Sequence, residues 1–331
     1  MRARELKRLL AMTTRLTACQ REELLSHLSS EQAFDEAIAL LRSGSIPAAC
    51  PKCGGQRLVR NGQAGGLQRY KCRECSAGFN ALTGTPLARL RHRDKWLEQA
   101  RVLDEGLSVR KAAARMGVHR TTAFRWRHRF LAAACEAKAQ RLEGVAEADE
   151  TYFLRSYKGQ RYRLAELNGE HAREPRRRGG HARKRGISAE HVPVLVLRNR
   201  AGQTTDFILA AGTKRCVRAV LPGALADDAV LCTDGSNMLA TVARELGLEH
   251  HAVNTLRGER IRGAWHIQNV NGYHARLKQW MHRFKGVATS YLPNYLGWFR
   301  ALDRHAQTGA KPAQFLVLAA RRMAPSPTNA N

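Results

Sequence analysis

Cys50-Pro51-Lys52-Cys53 and, eighteen residues further on, Cys72-Arg73-Glu74-Cys75 constrain this chain more tightly than any other feature. Each Cys-x-x-Cys turn offers two thiolates from one tight loop. Two such turns at this separation match a four-thiolate tetrahedral Zn²⁺ site. Leu58-Val59-Arg60-Asn61-Gly62 and Leu67-Gln68-Arg69-Tyr70-Lys71 read as hairpin strands between them, and Gly54-Gly55 lets backbone approach the sulfurs. The pattern predicts a zinc ribbon over 45–85. So small a segment buries little core, so a structural Zn²⁺ would supply its folding energy. Arg60, Arg69, Lys71 and Arg73 leave open whether the ribbon is purely structural or also touches a polyanion. The other four cysteines, Cys19, Cys135, Cys216 and Cys232, stand singly, which fits a reduced cytosolic protein better than a disulfide framework.

Charge points to the partner. Lys and Arg number 56 against 28 Asp and Glu, a formal net charge of +28. On a chain of ordinary apolar content this argues for a polyanion, with double-stranded DNA ahead of an anionic membrane surface. No run approaches the roughly 18 to 20 apolar residues of a membrane span. Met1-Arg2-Ala3-Arg4-Glu5-Leu6-Lys7 begins no secretory signal. A cytoplasmic, nucleoid-associated protein is expected. Its 331 residues suffice for two or three domains.

Residues 1–44 read as two short helices, the first with Leu9, Leu10 and Met12. Leu24, Leu25, Leu28, Phe34, Ala37, Ile38 and Leu41 carry the second, with a break near Ser29-Ser30-Glu31. Beyond a linker at Thr83-Gly84-Thr85-Pro86 and a basic patch from Arg89 to Lys95, residues 86–144 form a DNA-binding region. Ser108 caps a helix whose inner face is Ala112, Ala113 and Met116; Gly117 turns, Val118 packs the corner, and His119 to Arg129 is a recognition helix. His119, Arg120, Thr121, Thr122, Arg125 and Arg127 are the expected DNA contacts, with Arg129 continuing the charge. An ordinary basic helical pair is the alternative. Leu131 to Gly144 reads as a helical linker ending in a domain boundary.

The second half, 145–305, alternates strands with helices. Val145 to Phe153 is a strand carrying Glu147, Asp149 and Glu150, and alternation sets Glu147 and Asp149 on one face, where two carboxylates have room for a divalent cation. A solvated strand edge is the other reading. An arm from Arg173 to Gly186, with Arg176, Arg177, Arg178, Lys184 and Arg185, is expected to hold phosphates or to be a solvated insertion. Strands follow at 192–197 and 204–209, with a turn at Asn199-Arg200-Ala201-Gly202, then a helix from Thr213 to Leu221. A buried strand at 229–233 ends at Asp234, either a metal ligand or the cap of the helix from Met238 to Leu248. A short strand, His250 to Val253, comes next.

The last element singled out is His266 to Met281. Ile267, Val270, Leu277, Trp280 and Met281, with Tyr273 or His274 between, recur at the period of an amphipathic helix. Asn271 and Lys278 lie two turns apart and point the same way. Asn271 beside the apolar seam is either solvated or the last member of a metal site. Three strands, helix, strand, helix, strand, helix is the order of a ribonuclease-H-like α/β domain with a mixed sheet, preceded here by the ribbon and the helix-turn-helix. Phosphodiester cleavage or strand transfer in such a site needs two hard cations roughly 3.5 to 4 Å apart.

Over about residues 50–305 the chain resembles the bacterial insertion-sequence transposases of the family numbered fifteen ninety-five, kin to the DDE class. The ribbon, Ala148-Asp149-Glu150-Thr151-Tyr152, Thr233-Asp234-Gly235, and Val270-Asn271-Gly272-Tyr273 with Lys278 carry the likeness. It implies Asp149, Asp234 and Asn271 as ligands of Mg²⁺ or Mn²⁺, and Lys278 as a contact to DNA phosphate or the terminal nucleotides. Asn269 is a second candidate, but Asn271 has the spacing to Lys278. Glu147, better placed than Glu150, supports the ligands. The resemblance implies a DNA transposase acting on element ends and target as a homo-oligomer, with 306–331 a tail. The rivals are a DNA-binding regulator without chemistry and a nuclease of the same fold that does not transpose.

Overall fold

The computed structural model describes residues 3–43, 47–160, 162, 176, 180–254, 257–309 and 311–322. The chain divides into two compact units, residues 1–133 with 311–331, and residues 134–310. Among the described residues no helix is long and apolar enough to cross a membrane.

The first unit begins with α1 (Ala3–Thr13) and α2 (Ala18–Ser43). The expected break near Ser29-Ser30-Glu31 is absent: α2 runs straight through it. The interruption falls instead at Thr14–Thr17, where a capping box starts α2. The Thr17 amide donates to Gln20 Oε1 at 2.9 Å, and the Gln20 amide to Thr17 Oγ1 at 3.3 Å. Ala37, Ile38 and Leu41 of α2 are buried, whereas Leu6, Leu9, Leu10, Leu24, Leu25 and Leu28 are exposed.

A three-stranded antiparallel sheet follows, β1 (Leu58–Ala64), β2 (Leu67–Cys72) and β3 (Gly78–Asn80), in the order β1-β2-β3. Phe79 stacks on Tyr70 with ring centroids 5.8 Å apart. Thr83 to Pro86 is no exposed linker. Thr85 is buried, donates to the Leu82 carbonyl and accepts from the Leu87 amide.

Three helices follow: α3 (Trp96–Asp104), α4 (Val109–Met116) and α5 (Arg120–Glu136). Ser108 caps α4 by accepting the Lys111 amide, and Gly117 closes it with φ 59°, a left-handed conformation open to glycine at little cost. Ala112, Ala113, Met116, Ala123 and Trp126 form the core between α4 and α5. The expected linker from Leu131 is the buried end of α5, with Leu131, Ala133 and Ala134 all covered, so the division falls near residue 133 rather than 144. The expected tail returns as a helix, Gln314–Ala319, whose Phe315 and Leu316 are fully buried and which packs on α3 and α2.

The second unit is a five-stranded mixed sheet of β4 (Val145–Leu154), β5 (His191–Asn199), β6 (Thr204–Ile208), β7 (Val230–Thr233) and β8 (His250–Ala252). Its order is β6-β5-β4-β7-β8, antiparallel from β4 to β6 and parallel from β4 to β8. Helices α6 (Lys214–Ala224) and α7 (Asn237–Glu245) cover one face, burying Ala146, Ala148, Leu195, Leu197 and Leu231 beneath them. α8 (Gln268–His282) and α9 (Leu292–Thr308) lie on the other face, over β4, β5 and β6. α9 has no counterpart among the sequence expectations.

The α8–α9 face is polar inside. Arg198 binds Asp303 at 2.8 Å, Arg276 of α8 binds the same carboxylate at 2.7 Å, and Arg300 binds Asp206. All four of Arg198, Asp206, Arg300 and Glu147 are less than a tenth exposed. Buried charges persist when paired and hydrogen-bonded; here arginines neutralise the acids and tie α8 and α9 to the sheet.

Candidate functional site

β4 alternates as expected. Glu147 and Asp149 face α8, while Ala146 and Ala148 face the apolar core. The Asp149 carboxylate accepts the Glu150 amide through Oδ1 at 2.8 Å and lies 3.3 Å from His274 Nδ1 through Oδ2. β4 pairs with β7 in parallel, Glu147 opposite Cys232. Continuing that register two residues brings Asp234, the first residue past β7, alongside Asp149. Asp234 Oδ1 accepts the Ser236 amide at 2.9 Å, and Gly235, with φ 84°, makes the turn. Asp234 therefore tightens the loop into α7, and its second oxygen remains for another partner.

Electrostatics mark the same spot. Glu150 is pushed up to about 7 by burial first, then by the charges of Asp149 and Asp234. Burial and the same three acids also raise Tyr152. Among the described residues no Lys or Arg pairs with Asp149, Glu150 or Asp234, although arginines hold Glu147, Asp206 and Asp303 nearby. In a chain of +28, acids left without a cation of their own suit a divalent metal ion.

The α8 residues divide by role. Asn269 donates to Glu147 Oε1 at 2.9 Å, so its amide is committed. Asn271 is exposed, and its side chain makes no hydrogen bond among the described residues. It lies three residues before His274, which places it on the Asp149 side of the helix. Lys278, one turn beyond His274, is exposed. His274, which sequence reasoning did not pick out as a site residue, is 6 % exposed and directly contacts Asp149. Its only sequence signal was a histidine on the apolar seam.

In the first unit the Cys50, Cys53, Cys72 and Cys75 sulfurs all lie within 4.8 Å of one another, with Cys50–Cys75 at 3.6 Å and Cys53–Cys72 at 3.7 Å. A tetrahedral ion with sulfur bonds of roughly 2.3 Å sets its sulfurs about 3.8 Å apart, so the cluster fits such an ion. The amides of Lys52 and Glu74 each donate to a sulfur at 3.4 Å, stabilising thiolate. This is the only such convergence of three or more His, Cys, Asp or Glu among the described residues. The acidic site reaches three protein ligands only by including an amide oxygen.

At α5, His119, Arg120, Thr121 and Arg125 are exposed and Thr122 is half-buried. His119 Nδ1 accepts the Thr121 amide at 3.3 Å, which makes it the cap of the helix. Arg127 departs from its expected role in DNA contact. It is 2 % exposed and donates to the Leu107 carbonyl at 2.6 Å, because its position on α5 faces α4. Arg129 is exposed and donates to the carbonyls of Pro86 and Ala88. Of the basic arm, Arg177 and Arg178 lie outside the described residues. Lys184 and Arg185 are exposed. Arg176 forms an ion pair with Glu190 at 2.9 Å and donates to the Arg155 carbonyl, so it braces the arm's base rather than offering a free cation.

Residues 141–300 match the family of ISXO2-like transposase domains, and residues 89–139 match homeodomain-like domains. A protein described as an uncharacterized protein in transposable element ISH50, from Halobacterium salinarum, is 28 % identical over 269 residues, covering 80 % of this chain and 87 % of that one.

Proposed function

We propose that this chain, whose residues 141–300 match the ISXO2-like transposase domains and whose residues 89–139 match homeodomain-like domains, is a transposase that binds DNA and cuts and joins strands at the ends of a mobile element. The strand order β6-β5-β4-β7-β8 is that of a ribonuclease-H-like domain, in which separate strands deliver carboxylates to one edge. The observation that carries the reading is the pair Asp149 and Asp234, acids with no Lys or Arg partner among the described residues at the junction of β4 and β7, in a core where arginines neutralise Glu147, Asp206 and Asp303.

Asp149, Asp234 and the amide oxygen of Asn271 would hold Mg²⁺ or Mn²⁺. Metal ions held there would supply activation of the attacking oxygen and charge stabilisation of the leaving one. His274 orients Asp149 through its Nδ1 contact. Lys278, two turns from Asn271, offers an ammonium to a DNA phosphate. α5 presents His119, Arg120, Thr121 and Arg125 to the element ends, Lys184 and Arg185 add phosphate contacts, and the four cysteines hold a structural Zn²⁺ as a zinc ribbon. The enzyme works in the cytoplasm, as a homo-oligomer because two ends are processed together.

The test uses purified protein, Mg²⁺ and duplexes from the genomic DNA flanking its coding sequence, assayed for cleavage and joining. Asp149→Ala and Asp234→Ala should each bind the duplex normally and lose cleavage by about a thousandfold or more, since several kcal/mol of charge stabilisation leaves with the ion. Cleavage by either variant at the wild-type rate would show that the site is misassigned. Cleavage without joined products would mark a nuclease, and binding without cleavage by the wild type a regulator.

A further inference from the structure

The residue before helix α8, Ile267, has no side chain to accept the first-turn amides; His266 Nδ1 takes the Gln268 amide at 3.3 Å, and the donors that follow need acceptors from elsewhere. Glu147 of β4 supplies one. Its Oε2 accepts the Val270 amide at 2.9 Å and its Oε1 accepts Asn269 Nδ2 at 2.9 Å. The carboxylate is fully buried. Arg200, from the β5–β6 turn, lies 3.2 Å from Oε1 and His266 Nδ1 lies 3.3 Å from it. Arg200 also contacts the His266 ring and donates to the Ala264 carbonyl at 3.1 Å, which fixes the segment leading into α8.

We infer that Glu147 is a positioning residue for the metal site: a cap lent by the catalytic strand that sets where α8 begins relative to Asp149. The inference rests on the metal-site reading above. The chain connectivity makes the lever short. Asp149 is two residues along β4 from Glu147, about 7 Å. Asn271 follows directly on Val270, whose amide Glu147 holds. Sliding the start of α8 on β4 therefore carries Asn271 away from Asp149 by a similar distance, whereas metal–ligand distances tolerate only about 0.2 Å. The negative carboxylate also sits at the positive end of the helix, which adds to the hold. Arginine pairing of Glu147 differs from the uncompensated state of Asp149 and Asp234, so Glu147 acts through the helix and not as a ligand.

Glu147→Gln keeps the size of the side chain but offers one acceptor oxygen in place of two, and it turns an amide toward donors. The full-length variant is compared with wild type in three measurements: Mn²⁺ binding by calorimetry without DNA, hydrogen exchange at the Val270 amide, and cleavage across a Mg²⁺ series. The expected result is Mn²⁺ binding weakened by about tenfold or more, as for other changes to groups that support metal ligands. Exchange at Val270 should be faster. The Mg²⁺ level for half-maximal cleavage should rise in step, with binding to flanking DNA within about twofold of wild type. Asn269→Ala, which removes one hydrogen bond and leaves the carboxylate with Arg200 and Val270, should weaken Mn²⁺ by about threefold and serves if Glu147→Gln does not fold. Identical Mn²⁺ isotherms for wild type and a folded variant overturn the inference, even if cleavage falls. A wild type that binds no divalent ion overturns the metal-site reading instead.

Discussion

His274 Nδ1 lies 3.3 Å from Asp149 Oδ2, and no other side chain of α8 has so direct a hold on that carboxylate among the described residues. The ring is almost wholly buried, and its Nε2 has no hydrogen-bond partner among the described residues. One side chain of the packed face of α8 thus reaches the acid that the sheet presents, one turn from Asn271 and one turn from Lys278. Replacing it should release the rotamer of Asp149 without touching the DNA-binding helices. His274→Leu is expected to retain binding to flanking duplex and to cleave it about ten- to a hundredfold more slowly. Single-turnover cleavage at saturating Mg²⁺ checks this; an unchanged rate would show that Asp149 needs no such support.

The cysteine cluster makes a stoichiometric prediction. Metal analysis of the purified protein should find one Zn²⁺ per chain. Cys72→Ser should lose it, because Cys72 is fully buried and its Sγ is one corner of the cluster. Since the three short strands bury so little, loss of the ion should unfold β1 to β3. Protease digestion should then cut between residues 45 and 85 in the variant but not in wild type.

Arg125 and Arg127, two residues apart on α5, should behave in opposite ways. Arg125 is exposed, so Arg125→Ala should weaken binding to all duplexes and lower the salt slope of log K by about 1. Arg127 is buried against the Leu107 carbonyl, so Arg127→Ala should lower stability by about 1–3 kcal/mol and leave the salt slope unchanged. Titrations at several salt concentrations, with denaturant unfolding alongside, separate the two.

His128 gives the first unit a sensitivity to acid. Burial first, then the charge of Arg127, lowers its imidazole from 6.5 to about 4. The unfolded chain takes up a proton here near pH 6.5, whereas the folded chain refuses it until about pH 4. Stability contributed by the neutral ring is therefore intact above pH 6.5 and lost as pH falls through about 4. Denaturation midpoints of wild type should fall more steeply across that window than those of His128→Phe; parallel curves would contradict the burial of this ring.

Much of the architecture was legible because its signals are local. The cysteine spacing, Ser108 before an apolar face, Gly117 at the turn, and the alternation of β4 each act within a few residues. The start of α2 is equally local: it is set by the Thr17–Gln20 box, and the helix tolerates the Ser29-Ser30 pair that suggests a break. α9 and the helix at Gln314–Ala319 were missed for a different reason. The Gln314–Ala319 helix buries Phe315, Leu316, Leu318 and Ala319, and such enclosure erases the periodicity that would announce a helix, whereas α9 mixes buried Leu292, Leu296 and Trp298 with Arg300 and Asp303, whose partners on the sheet its own sequence does not show.

By itself the sequence determined the order of the residues we propose for the chemistry, four thiols, Asp149, Asp234, Asn271 and Lys278, and the excess of cations to meet a polyanion. The tertiary structure alone decided which of them are free to act. Register between β4 and β7 sets Asp234 beside Asp149, burial turns Arg127 and Arg176 from surface cations into braces, and Glu147 and His274 become the contacts that join strand to helix. The reason is physical. A side chain's character is written in the chain, but its partners and its access to solvent depend on other segments, some of them more than a hundred residues away.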